Sequence, residues 1–119
     1  MKNSEFINKI INGDCVKILK KISKDSIDLI ITSPPYDNLR SYKGYKFEFE
    51  KISKLLFEVL KPGGVIVWVI GDATIDGNET GSSFKQALFF QSIGLNLHDT
   101  MIFRKKNPIP QIYRKRYSN

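Results

Sequence analysis

Between residues 27 and 36 the chain reads Ile-Asp-Leu-Ile-Ile-Thr-Ser-Pro-Pro-Tyr: a β-branched apolar run that meets two prolines and an aromatic ring. The run has the look of a buried strand. Proline has a fixed φ and no N–H, so Pro34 and Pro35 cannot carry a sheet ladder onward or open an ordinary hairpin. Each also holds the residue before it, Ser33 and Pro34, in an extended conformation. A stiff, protruding segment follows whose carbonyls are hard to pair internally. Such a segment is either a rigid linker or a binding surface.

The rest of the chain decides between them. Residues 6–11 read as a short apolar strand that ends at the turn signal Asn12-Gly13. Val16, Ile18, Leu19 and Ile22 then recur at near-helical spacing with lysines between them. Phe49, Ile52, Leu56, Val59 and Leu60 repeat in the same way, and Lys61-Pro62-Gly63-Gly64 is a helix stop. Residues 65–70 are an unbroken apolar run, the second clear strand. A loop from Gly71-Asp72 leads to a helix over residues 84–93, with Ser82 or Ser83 as its N-cap, and residues 95–104 read as a further strand. Strands alternating with helices predict an α/β fold with a mostly parallel sheet. Ligands of such sheets bind beyond the carboxyl ends of strands, where Ser33-Pro34-Pro35-Tyr36 and Gly71-Asp72 both fall.

The chain has 119 residues, the size of one small domain. Its start carries no apolar leader and no run approaches membrane-spanning length. The single cysteine, Cys15, allows no internal disulfide and fits a reducing cytoplasm. A net charge of +7 favours a polyanionic partner, nucleic acid first. Six basic residues and no acidic one lie between positions 104 and 119: Arg104, Lys105, Lys106, Arg114, Lys115 and Arg116. With Tyr113 and Tyr117 among them they read as a surface that contacts a nucleic-acid backbone. His98 is solitary and no metal site is expected. Cys15 reads as a small buried residue, Trp68 as core, and Asp72 as the cap of a loop.

The chemistry suited to Ser-Pro-Pro-Tyr is that of an exocyclic amine on a nucleobase. Such a nitrogen delocalises its lone pair into the ring and is a poor nucleophile. Acceptors around its N–H groups favour a pyramidal nitrogen with a free lone pair. The Ser33 hydroxyl and the Pro34 carbonyl are two such acceptors on a rigid frame, and Tyr36 offers a face for stacking. The base has to leave the duplex to reach them.

These residues also resemble the catalytic motif of the amino-group DNA methyltransferases, which modify cytosine N4 or adenine N6 with S-adenosyl-L-methionine. Asn12-Gly13-Asp14-Cys15, Asp28-Leu29-Ile30, the motif itself and Leu60-Lys61-Pro62-Gly63-Gly64 follow in the order of the amino-terminal half of the permuted class, in which the catalytic motif comes first. His98-Asp99-Thr100 running into a basic segment is similar as well. The resemblance spans essentially the whole chain. It implies an incomplete Rossmann-like methyltransferase fold acting on double-stranded DNA, in a restriction-modification context. By the same resemblance Ser33, Pro34, Pro35 and Tyr36 form the target-base pocket, Asp14 contacts the cofactor adenine, and Asp37 is a weaker candidate for positioning. A plain Asx turn is an equal reading of Asp14.

Two parts of the family pattern are missing. No aromatic-x-Gly-x-Gly cofactor loop occurs, and no target-recognition region follows the basic segment. Residues 1–119 are therefore expected to be the catalytic-motif half of a methyltransferase domain, with the cofactor loop and the middle of the sheet coming from a second chain or a carboxyl-terminal segment. The alternative is a truncated, inactive DNA-binding fragment. A third reading, methylation of an RNA base or a protein amide, is disfavoured because related enzymes of that kind more often carry Asn where Ser33 stands. The Thr-Ser-Pro-Pro-Tyr form leans towards cytosine N4, although adenine enzymes of the permuted class use it too.

Overall fold

The computed structural model describes residues 3–36 and 47–106. A single 3-10 turn at Asn3–Glu5 precedes helix α1 (Cys15–Leu19), strand β1 (Ile27–Thr32), helix α2 (Phe49–Val59) and strand β2 (Leu60–Trp68). A two-rung hairpin of β3 (Thr74–Ile75) and β4 (Asn78–Glu79) then leads to helix α3 (Ser82–Ser92).

The organising unit is β1–α2–β2. The two strands pair in parallel, with Leu29 opposite Val65, Ile30 opposite Ile66, Ile31 opposite Val67 and Thr32 opposite Trp68. The Val69 N–H donates to the Thr32 carbonyl at 2.9 Å, extending the pairing to the residue before Ser33. Because side chains alternate across a strand, Ile30, Ile66 and Trp68 share one face and pack on the helices. There they meet Val16 of α1 and Ile52 and Leu56 of α2, the centre of the core. Trp68 joins the sheet to α3 through an aromatic cluster: its ring lies 5.1 Å from Phe90 and 5.8 Å from Phe49, and its Nε1 donates to Gln86 Oε1 at 2.8 Å.

The helix stop after α2 works differently from the sequence expectation. No turn separates helix from strand: Leu60 pairs with Ile27 at once, and the register slips before Leu29 reaches Val65. Lys61-Pro62-Gly63-Gly64 absorbs the slip as a bulge, where proline has no N–H to lose and Gly63 takes a φ of 80°. A side chain on Gly64 would put its Cβ 2.7 Å from the Leu60 side chain. The end of α2 is closed from outside, since the Asp25 and Ser26 N–H groups donate to the Glu58 and Val59 carbonyls.

Two expected strands do not form. Residues 6–11 and 95–104 have no strand partner among the described residues, and Ile10, Ile102 and Phe103 stand open to solvent. A strand holds only when a neighbour takes up its N–H and C=O groups. The face of β1–β2 away from the helices is likewise open, with Leu29, Ile31, Val65 and Val69 exposed. The β3–β4 hairpin falls where the sequence reads as loop, although Asp76-Gly77, both at positive φ (49° and 79°), is a clear signal for its turn.

Candidate functional site at the end of strand β1

Ser33 follows β1 directly and is exposed; Pro34 behind it is buried and Pro35 half-buried. The prolines are thus the anchored part of the segment and the serine the presented part. The chain turns back so that the half-buried Tyr36 brings its hydroxyl 2.8 Å from Ser33 Oγ. Its ring lies over Gly71, just past β2, so closely that a Cβ there would be 3.2 Å from Cδ2. A side chain there would require the ring to give by a few tenths of an ångström.

Gly71 is held in turn by its neighbour. The Asp72 carboxylate accepts from the Ser83 N–H and the Ser83 hydroxyl, each at 2.7 Å. It caps the amino end of α3 from eleven residues upstream, where free N–H groups and the helix dipole favour an anion. The sequence reads Asp72 as the cap of a loop; in the structure it caps a helix instead. The expected serine N-cap is corrected: Gly81 occupies that position at a φ of 66° and the remote carboxylate does the capping.

Among the other sequence candidates, Asp14 is the N-cap of α1. Its Oδ1 accepts from Val16 N at 2.8 Å and Lys17 N at 3.3 Å, so the Asx-type reading holds for that oxygen. Cys15, expected to be buried, is exposed as the first residue of α1. Arg104, Lys105 and Lys106 are exposed and, with Phe103, line an open concavity. Asp37, Tyr113, Arg114, Lys115, Arg116 and Tyr117 lie outside the described residues. The structure therefore brings Ser33 and Tyr36 together and adds Gly71, Asp72 and Ser83, whose joint role no local signal gave. Among the described residues no helix is long and apolar enough to cross a membrane.

The sequence that folds into this parallel β–α–β unit matches a known family. Residues 27–119 fit the model of the N6/N4 DNA methylases, and the chain belongs to that family. It is 58% identical over 93 residues to the orphan methyltransferase M.BamHII of Bacillus amyloliquefaciens, across 78% of this chain and 31% of the relative. It is 34% identical over 99 residues to the type II methyltransferase M.BglII of Bacillus subtilis, across 76% and 27%. A crystal structure described as a DNA modification methylase of Thermus thermophilus shares the fold with a TM-score of 0.57 at 20% identity, over 71% of this chain and 39% of that one. The described residues thus form part of a Rossmann-like methyltransferase fold. The chain spans less than a third of the length of either Bacillus relative.

S-adenosyl-L-methionine does not fit the described residues by themselves. The acidic candidate Asp14 has one oxygen committed to its own helix. Of the described glycines, Gly63 and Gly64 lie in the β2 bulge and Gly71 lies beneath Tyr36.

Proposed function

We propose that the chain is the catalytic-motif portion of a DNA amino-methyltransferase that moves a methyl group from S-adenosyl-L-methionine to cytosine N4 or adenine N6. In this reading Ser33 and the Pro34 carbonyl accept from the target amine and Tyr36 stacks on the base. Asp14 contacts the cofactor adenine once a further polypeptide has completed the site. Arg104, Lys105 and Lys106, continued by Arg114, Lys115 and Arg116, follow the DNA backbone. A further polypeptide, in the same chain or a second one, supplies the glycine-rich cofactor turn and covers the open sheet face. A cytoplasmic setting and a restriction-modification context belong to the same reading.

The observation that carries it is the position of Ser33 and Tyr36: a presented hydroxyl and a half-accessible ring at the carboxyl end of a parallel strand. The uncovered apolar face beside them supports the portion of the proposal that concerns a missing complement, because parallel sheets are stable when both faces are packed. The inactive-fragment reading shares that second observation, so an experiment has to separate them. The chain is titrated with S-adenosyl-L-methionine by calorimetry and assayed for methyl transfer to mixed-sequence DNA, alone and with a co-expressed polypeptide carrying the glycine-rich half of a relative. Activity only in the pair is the expected result. Turnover by the isolated chain would overturn the half-enzyme reading, and inactivity of the stably formed pair would leave the inactive fragment as the answer.

A further inference from the structure

We propose that Asn12 is a site of spontaneous modification, at which the folded chain loses the side-chain amide while it stands unassembled. The chemistry is intramolecular. Hydroxide takes the proton of the Gly13 main-chain nitrogen, which then attacks the Asn12 side-chain carbonyl carbon. The new C–N bond closes a cyclic imide, the bond to the side-chain nitrogen breaks, and ammonia leaves with a proton from water. One water then opens the imide at either carbonyl. The products are an aspartate or, with the main chain rerouted through the side chain, an isoaspartate. Water and hydroxide are the only co-reactants.

The reaction needs glycine after the acceptor, since a Cβ there shields the nitrogen, and it needs a main chain free to turn. The sequence offers two such places, Asn12-Gly13 and Asp76-Gly77. The structure separates them. Asp76-Gly77 is the turn of the β3–β4 hairpin, held by the Thr74–Glu79 and Ile75–Asn78 rungs and by the Thr80 N–H on the Ala73 carbonyl at 2.8 Å. Its carboxylate is also the poorer electrophile. Asn12-Gly13 has no such restraint: residues 7–15 are all exposed, and residues 9–14 lie outside helix and strand. Among the described residues neither the Asn12 side chain nor the Gly13 N–H has a hydrogen-bond partner. The fixed part of the chain begins at Asp14, which caps α1. Ring closure at Asn12 therefore breaks no native contact, and the unheld residues upstream take up the added length of an isoaspartate.

The same segment leaves Ile7 and Ile10 open to solvent. A complement that covers it would fix the main chain around Asn12 and stop the reaction, so the modified fraction records how long a chain has stood alone. That marker role rests on the half-enzyme reading; the chemistry at Asn12 does not.

The test keeps the 119-residue chain and a short peptide of residues 9–17 side by side at mildly alkaline pH. Peptide mapping by mass spectrometry reads the exchange of amide for acid, and heteronuclear NMR reports the fold. The chain is expected to age within about threefold of the peptide's rate, and faster as pH rises. Asn12→Gln, which must close a larger ring, stays unmodified, and Asp76-Gly77 keeps its ordinary linkage. The Val16 and Lys17 amide signals hold their positions, because the Asp14 cap lies beyond the reacting bond. Protection of Asn12 in the folded chain by roughly tenfold or more overturns the proposal. Co-expression with the glycine-rich half is expected to slow the ageing. Equal ageing in an active pair overturns the marker role and leaves the half-enzyme reading standing. A half that never pairs removes both of these and leaves the chemistry at Asn12 standing on its own measurement.

Discussion

A few side chains and glycines carry much of the local geometry. Tyr36 is the most exposed to test, because the proposed stacking role rests on its ring alone. In an assembled enzyme Tyr36→Ala is expected to weaken binding of the target base by about 1–3 kcal/mol, the usual worth of one stacked base, measured as a rise in the dissociation constant for the DNA substrate. Gly94 makes a second case, one of stability. It ends α3 at a φ of 116° with the Phe57 ring 3.1 Å from where a Cβ would lie. Gly94→Ala combines a backbone penalty with a tight contact and is expected to lower stability by about 1 kcal/mol in urea unfolding. Ser53, fully buried, bonds its hydroxyl to the Phe49 carbonyl one turn back and so avoids an unpaired polar group in the core.

At the level of elements, α2 bears the greatest share of the packing, with Ile52, Leu56 and Val59 buried along one stripe. Leu56→Ala is expected to cost about 2–5 kcal/mol, enough to unfold a chain with so small a core, and loss of cooperative thermal melting is the readout. The segment after α3 behaves oppositely. Residues 101–106 are exposed and outside regular structure, so substitutions there leave the fold intact and report on binding alone. Replacing Arg104, Lys105 and Lys106 by Gln is expected to flatten the dependence of log K for duplex DNA on log salt by about 0.9 for each phosphate no longer neutralised. An unchanged slope would mean these cations only face solvent.

For the molecule as a whole the deciding feature is what is left open. Two parallel strands have helices on one face, while Leu29, Ile31, Val65 and Val69 look outward on the other. Such a surface invites association when uncovered. The isolated chain is expected to self-associate at concentrations where a covered domain stays monomeric, as read by analytical ultracentrifugation. Ile31→Lys should make it more monomeric and, in the same stroke, abolish stable pairing with the glycine-rich half. A variant that loses self-association but still pairs would show that the complement docks elsewhere.

The sequence by itself determined β1, α2 and the end of β1, because each rests on a local rule. A β-branched run makes the strand, apolar residues three and four apart make the amphipathic helix, and two prolines end the ladder. The order of Asn12-Gly13-Asp14, Ser33-Pro34-Pro35-Tyr36 and Lys61-Pro62-Gly63-Gly64 was enough to point to the family. Residues 6–11 and 95–104 read equally well as strands and are not, since apolar character is local whereas a strand needs a partner elsewhere. Tertiary structure alone decided that Lys61-Pro62-Gly63-Gly64 is a bulge inside β2, that Asp72 caps a helix eleven residues on, and that Tyr36 rests on Gly71 with its hydroxyl on Ser33. Each of these joins residues that no helical or strand period relates. Their meeting is set by how the two strands, the bulge and α3 pack, and only the folded chain contains that information.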